Sequence, residues 1–161
     1  GKFPGMGETG FLDMKTVYND KKGQMVQNSN KMELPESELA SYEIESDLQN
    51  LLDYAKYGIS YTLLGIEKVG EVETYNIEKV YNNGNSKDML FFDIKTGLLI
   101  REITTSGANT TIKNYSDYKE VKGGNGYKVP FEISTSGQQP HTIKLNSAKA
   151  NTTIKDNVFK L

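Results

Sequence analysis

Catalysis near neutral pH needs a tuned acid or base beside a nucleophile or a metal, and this 161-residue chain offers few such groups. His141 is its only histidine, and it has no cysteine. His141 follows Gln138-Gln139-Pro140 and opens an alternating stretch, which suits a strand-end residue beside a turn. The lack of cysteine removes disulfides, thiolate ligands, a cysteine nucleophile and a lipidated N-terminal cysteine. A single histidine then puts the usual zinc sets out of reach. Serines are plentiful, yet no Gly-x-Ser-x-Gly elbow occurs, and a Ser-His-Asp triad would rest wholly on His141. Gly123-Gly124-Asn125-Gly126 is glycine-rich but joins two strand-like runs rather than a strand to a helix, so no phosphate cradle follows. The carboxylate pairs Glu71/Glu73 and Asp117/Glu120 fall at strand ends or turns and read as solvated charge. The expectation is a protein with no catalytic residue, no metal and no cofactor.

Charge is distributed unevenly. Residues 31–78 hold 3 Lys against 11 Asp/Glu, whereas residues 79–161 hold 12 Lys/Arg against 7 Asp/Glu. A nucleic-acid face would want clustered arginines with interleaved aromatics. Here Arg101 is the only arginine and the lysines alternate along strand-like runs, so nucleic acid is not an expected partner. No apolar run reaches the roughly 18–20 residues of a spanning helix, so no transmembrane segment is expected. Gly1 reads as the scar of a removed tag, so a leader or upstream region is expected to precede this chain in the full protein.

The elements that would position any site come from periodicity. Residues 35–57 are the one good helical stretch: Pro35 suits the first helical position, and Glu36 and Glu38 lie where the helix dipole favours negative charge. Ile44, Leu48, Leu51, Leu52 and Ala55 fall on one stripe, with Gly58 as the stop and a break possible near Ser46. Before it, residues 11–18 and 24–27 read as strands around an Asn19–Gly23 turn. After it, seven strands are expected over 59–67, 72–81, 87–94, 98–105, 110–119, 127–134 and 142–149. Asn82-Asn83-Gly84-Asn85 and Ser106-Gly107-Ala108-Asn109 supply residues that tolerate positive φ between them. Such short links join antiparallel neighbours. The fold class expected is α+β: an open antiparallel half-barrel of about nine strands, with the helical segment covering its concave face.

Facing follows from alternation. Tyr127, Val129, Phe131 and Ile133 alternate with polar residues, as do His141, Ile143 and Leu145, so these two strands should have one buried and one wet face. Met89-Leu90-Phe91-Phe92 and Leu98-Leu99-Ile100 are apolar on both faces, which places the middle of the sheet under cover on both sides or around a ligand. Pro130 lacks a ladder donor and predicts an edge or an irregularity. The ten tyrosines fit ordinary sheet packing, or a sugar- or peptide-binding platform.

A family resemblance rests on motifs in a fixed order. Gly65-Ile66-Glu67-Lys68-Val69-Gly70-Glu71-Val72-Glu73-Thr74-Tyr75-Asn76-Ile77 is followed by Phe92-Asp93-Ile94-Lys95-Thr96-Gly97-Leu98-Leu99-Ile100-Arg101. Then come Tyr115-Ser116-Asp117-Tyr118-Lys119-Glu120-Val121, Val129-Pro130-Phe131 and Asn151-Thr152-Thr153-Ile154-Lys155-Asp156-Asn157-Val158-Phe159. Together they resemble the outer-membrane lipoprotein-sorting (LolA/LolB-like) superfamily, particularly its Bacteroidetes-type members. The resemblance implies a periplasmic half-barrel that takes lipid or lipoprotein acyl chains and does no chemistry. It also implies that residues 1–161 form a single domain entered part-way through the sheet, and so truncated at its N-terminus. Similar segments occur at the C-terminal end of bacterial insulinase-like zinc peptidases, but the H-x-x-E-H motif is absent and no proteolysis carries over. Nor does the carrier's functional arginine: Arg101 reads as an exposed strand residue.

The ligand-binding residues expected are Leu48, Leu51, Leu52, Phe131, Ile133, Ile143 and Leu145, an apolar ligand lying between the sheet and residues 44–55. A filled hydrophobic core would explain the same pattern. The alternative function is an accessory or protein-interaction domain of a larger periplasmic zinc peptidase or envelope protein, with a fused peptidase domain or protein partner. A module that works through a strand edge or the tyrosines is a third.

Overall fold

The computed structural model describes residues 14–27, 30–47, 52–81, 86–138, 140–155 and 157. Among the described residues the chain is mostly β with one α-helix, and it divides into two compact units. The first holds the described residues up to Asp53 together with 153–157, and the second spans Tyr54–Thr152.

In the first unit three short strands, β1 (Met14–Asn19), β2 (Lys22–Gln27) and β3 (Asn30–Glu33), form an antiparallel sheet in that order. The β1–β2 turn is built on Asp20 and Lys21, both at positive φ (48° and 62°), as a two-residue hairpin that matches strand twist requires. Helix α1 (Glu36–Ser46) follows Pro35, with Glu36 and Glu38 in its first turn, as the sequence suggests. Tyr42 stacks on Tyr18 of β1 at 6.5 Å between ring centroids. Gly23 of β2 is buried against Leu34 and Leu39, where a Cβ would come within 2.4 Å of Leu34 Cδ1. Val17 and Leu34 form the core of this unit.

The expected helix over 35–57 is corrected. It stops at Ser46, near the anticipated break, and a separate 3₁₀ turn runs over Tyr54–Tyr57 before Gly58 at φ 64°. Crowded acidic residues around Glu43, Glu45 and Asp47, with no basic residue in the last turn, work against the helix dipole at that end. No residue of α1 is buried.

The second unit is an open seven-stranded antiparallel sheet in which every strand pairs with its sequence neighbours. Its strands are β4 (Ile59–Val69), β5 (Val72–Tyr81), β6 (Ser86–Asp93), β7 (Leu99–Ser106), β8 (Asn109–Glu120), β9 (Lys128–Ser136) and β10 (His141–Lys144). This is the meander that the turn chemistry predicts. At the β6–β7 loop the Asp93 carboxylate accepts bonds from Lys95 N and Thr96 Oγ1 at 2.8 Å each, and these bonds hold it below the usual carboxylate range. The last strand is shorter than expected: β10 ends at Lys144, although Leu145 N still donates to Phe131 O. Pro130 faces Tyr118 beside Asp117 at φ 53°, an irregularity of β8 where a ladder donor is missing. Leu90 and Phe91 are both buried and point to opposite faces, so the middle of the sheet is covered on both sides.

Candidate functional site

Strand register assigns every side chain of the seven-stranded sheet to a face, because directly paired residues point the same way. Ile133 pairs with Ile143 on β10 and with Tyr115 on β8, and Phe131 lies beside Leu145 on the same face. At the other end of the sheet, Leu63 pairs with Ile77, which pairs with Leu90, and Ile66 pairs with Tyr75, which pairs with Phe92. All of these share one face with Ile133. The opposite face of β8–β10 is polar, with Ser116, Ser134 and the Lys144–Glu132 ion pair at 3.0 Å.

The apolar face is open to solvent at both margins. Leu63 and Ile66 are 61% and 65% exposed on β4, and Ile143 and Leu145 are 47% and 40% exposed at β10. The face expected to be buried at the end of the sheet is therefore only half covered.

A polar zone runs across the same face. Lys79 of β5 pairs with Asp88 of β6, Nζ lying 3.7 Å from Oδ2, and Tyr61 and Tyr81 flank them. Burial lowers the Lys79 ammonium, but its bond to Tyr81 and the nearby negative groups more than reverse this and favour the charged form. Asp88 is buried, and no protein group donates to its Oδ1. Further along, Tyr115 donates from its hydroxyl to Glu102 Oε2 at 2.5 Å, with Lys113 Nζ 3.9 Å from the same oxygen. Burial first, then the bond to Glu102, hold the Tyr115 phenol far above its ordinary range.

Of the seven expected ligand-binding residues, the structure brings Phe131, Ile133, Ile143 and Leu145 together on one face of β9–β10. Leu48 and Leu51 lie outside the described residues, and Leu52 is in a turn and 79% exposed. Residue-level reading missed Leu63 and Ile66. They belong to the apolar face only because β4 carries a bulge at Leu64, between Leu63 and Gly65, which shifts the parity of the strand. The glycine at 65 inside an apolar strand (φ 142°) is the signal that marks it. Among the described residues no group of three or more His, Asp or Glu could hold a metal ion, and no helix is long and apolar enough to cross a membrane.

The sequence matches no known family profile and no curated protein. Solved structures do match. One is described as an outer membrane lipoprotein-sorting protein domain from Vibrio parahaemolyticus, with TM-score 0.59 at 10% identity over 92% of this chain and 80% of that one. A LolA superfamily protein from Nitrosomonas europaea matches with TM-score 0.57 at 10% identity, over 92% of this chain and 70% of that one. A DUF1329 family protein from Desulfovibrio piger matches with TM-score 0.58 at 15% identity, over 96% and 78%. At these identities the likeness is one of fold: the chain has the fold seen in LolA-superfamily and lipoprotein-sorting domains.

Proposed function

We propose that this chain is a non-catalytic binding domain of the periplasm that holds an apolar ligand, a lipid or lipoprotein acyl chain, along one face of its seven-stranded sheet. Phe131, Ile133, Ile143 and Leu145 form the contact surface on β9–β10, and Leu48, Leu51 and Leu52 are candidates from the sequence pattern alone. The observation that carries the reading is the apolar face of β9–β10 with Ile143 and Leu145 substantially exposed on it. An apolar surface left in water costs about 25 cal/mol per Å², and contiguous exposed apolar surface is characteristic of binding sites. The fold shared with lipoprotein-sorting and LolA-superfamily structures supports the choice of ligand and compartment.

The test is titration with the neutral apolar fluorophore N-phenylnaphthylamine, together with native mass spectrometry of protein recovered from a bacterial periplasm. Saturable binding and a co-purifying acyl species are expected. Ile143→Glu should weaken fluorophore binding about tenfold or more while changing stability by no more than about 0.5 kcal/mol, as for other exposed positions. Absence of both binding and an acyl species would sink the proposal.

A further inference from the structure

The apolar strip on β8–β10 has an abrupt end, and what lies beyond it is chemically specific. In one row Tyr115, Ile133 and Ile143 stand side by side; two residues along each strand, the next row on the same face is Lys113, Thr135 and His141. All three strands change from apolar or aromatic to polar at the same step. The polar row forms the floor of a pocket of about 340 Å³, walled in addition by Thr111, Asn109 and Gln138. Gln138 Nε2 donates to Asn109 Oδ1 at 2.7 Å, which joins the β9–β10 loop to the start of β8.

The charges around the pocket are uneven. Lys113 is its ammonium group, with 43% of the side chain exposed. The nearest carboxylate, Glu102, is 3.9 Å from Lys113 Nζ and already accepts the Tyr115 hydroxyl, so it neutralises Lys113 only in part. A ligand oxygen at hydrogen-bond distance from the ammonium would outcompete a pair held at 3.9 Å. The remaining lining is hydroxyl and amide together with the His141 imidazole. A carboxylate head would use two oxygens and leave most of these groups idle; a phosphate bearing a glycerol unit offers an anionic oxygen for Lys113 and several others for the hydroxyls and amides.

We propose that this pocket holds the glycerophosphate head of an acyl amphiphile whose chain lies on the adjoining strip of Ile133, Ile143, Phe131 and Leu145. The inference rests on the acyl-binding reading above and names the chemistry of the ligand's other end. The chain and the head then lie in line along β8–β10, in one continuous site.

The experiment measures displacement of N-phenylnaphthylamine by three compounds: lauroyl lysophosphatidylglycerol, the uncharged monolaurin with the same chain, and glycerol phosphate without a chain. The lysophospholipid should bind about tenfold more tightly than monolaurin, and glycerol phosphate should not displace the probe at the same concentration. Lys113→Gln should remove most of that preference and leave monolaurin unchanged, with folding checked by circular dichroism. Glu102→Gln, which keeps a bond acceptor for Tyr115, should tighten the lysophospholipid about threefold. Equal binding of lysophospholipid and monolaurin, indifferent to Lys113→Gln, overturns this inference and leaves the acyl strip standing. Displacement by glycerol phosphate as effective as by the lysophospholipid overturns the joined head-and-chain site. Failure of the fluorophore itself to bind overturns the acyl reading and this inference with it.

Discussion

Tyr115 stands at the junction of the apolar and polar rows, and its replacement by phenylalanine makes a quantitative test of how that junction is held. The hydroxyl donates to Glu102 Oε2 at 2.5 Å, and the Glu102 side chain is only 18% exposed. A hydrogen bond to a charged acceptor contributes roughly 1.5–3 kcal/mol. Glu102 keeps Lys113 nearby and some water, so the lower end applies: Tyr115→Phe should cost about 1.5 kcal/mol near neutral pH. The pH dependence is the sharper part. Burial, and then the bond to Glu102, raise the native phenol pKa above its unfolded value of about 10. Native Tyr115 therefore keeps its proton where the unfolded chain loses it. Its stabilising contribution is complete below about pH 10 and is lost as the pH rises towards the native value, at about 1.4 kcal/mol per pH unit.

Between about pH 9 and pH 11 the parent protein should therefore lose about 1.4 kcal/mol that the phenylalanine variant does not. Tyr61 and Tyr118, whose phenols are also raised by burial, lose the same in both proteins and cancel. Urea unfolding of parent and variant, followed by far-ultraviolet circular dichroism, reads the difference directly. The variant should be the weaker protein at neutral pH and nearly the parent's equal at the alkaline end. Equal stability at neutral pH, or a gap that stays constant into alkali, would refute the assignment of Tyr115 as the buried donor to Glu102.

Other substitutions test the packing beneath the site. Phe91→Ala removes a side chain that is buried in the middle of the sheet and should cost about 3–5 kcal/mol in urea unfolding; a loss under about 1 kcal/mol would contradict a covered central face. Gly23→Ala forces a methyl group against Leu34 and Leu39 and should destabilise the first unit by about 1–3 kcal/mol. Hydrogen exchange should locate that loss in β1–β3 and α1, leaving amides of β5–β8 protected; uniform loss across both units would count against their separation.

The seven-stranded meander was legible because its punctuation is explicit. Gly97 at φ 70° and Gly107 at φ 57° stand in turns that the sequence marks, and each separator is too short for a parallel crossover. The shared apolar face of Phe131 and Ile133 in one strand and of Ile143 and Leu145 in the next was legible from clean alternation, while their register was not. Alternation failed at β4, where one inserted residue moves Leu63 and Ile66 onto the same face despite their odd spacing. It failed again at residues 30–33, where Asn30-Lys31-Met32-Glu33 forms β3 with every residue exposed, so that no buried face imposes a period. The helix was over-extended for a related reason. A periodic apolar stripe fits Ile44 to Ala55, but Ala55 belongs to a 3₁₀ turn, and a helix with no buried residue has little tertiary packing to carry it beyond Ser46.

The choice between a filled core and a ligand face turns on where polarity changes along β8, β9 and β10. In a plain core, side chains become polar where burial ends, because exposed apolar surface contributes nothing to folding. Here the change from Tyr115, Ile133 and Ile143 to Lys113, Thr135 and His141 does not follow burial. Ile143 on the apolar side is exposed, and Thr135 and Lys113 on the polar side are half-buried. Tyr115 and Ile133 are half-buried as well and His141 is exposed, so the two rows are covered alike and solvent access does not account for the change. A surface that keeps isoleucine in water and threonine under partial cover matches a molecule with an apolar and a polar end, and the margin at Leu145 extends the apolar side further into solvent. The same reasoning separates Leu63 and Ile66 from this site. They lie on the same face, but five strands away from β9, and no polar row cuts β4 at an equivalent step, since Tyr61 is followed by Leu63 and Ile66 with the bulge between them. An acyl amphiphile should therefore protect the amides of β9 and β10 from hydrogen exchange and leave those of β4 unchanged.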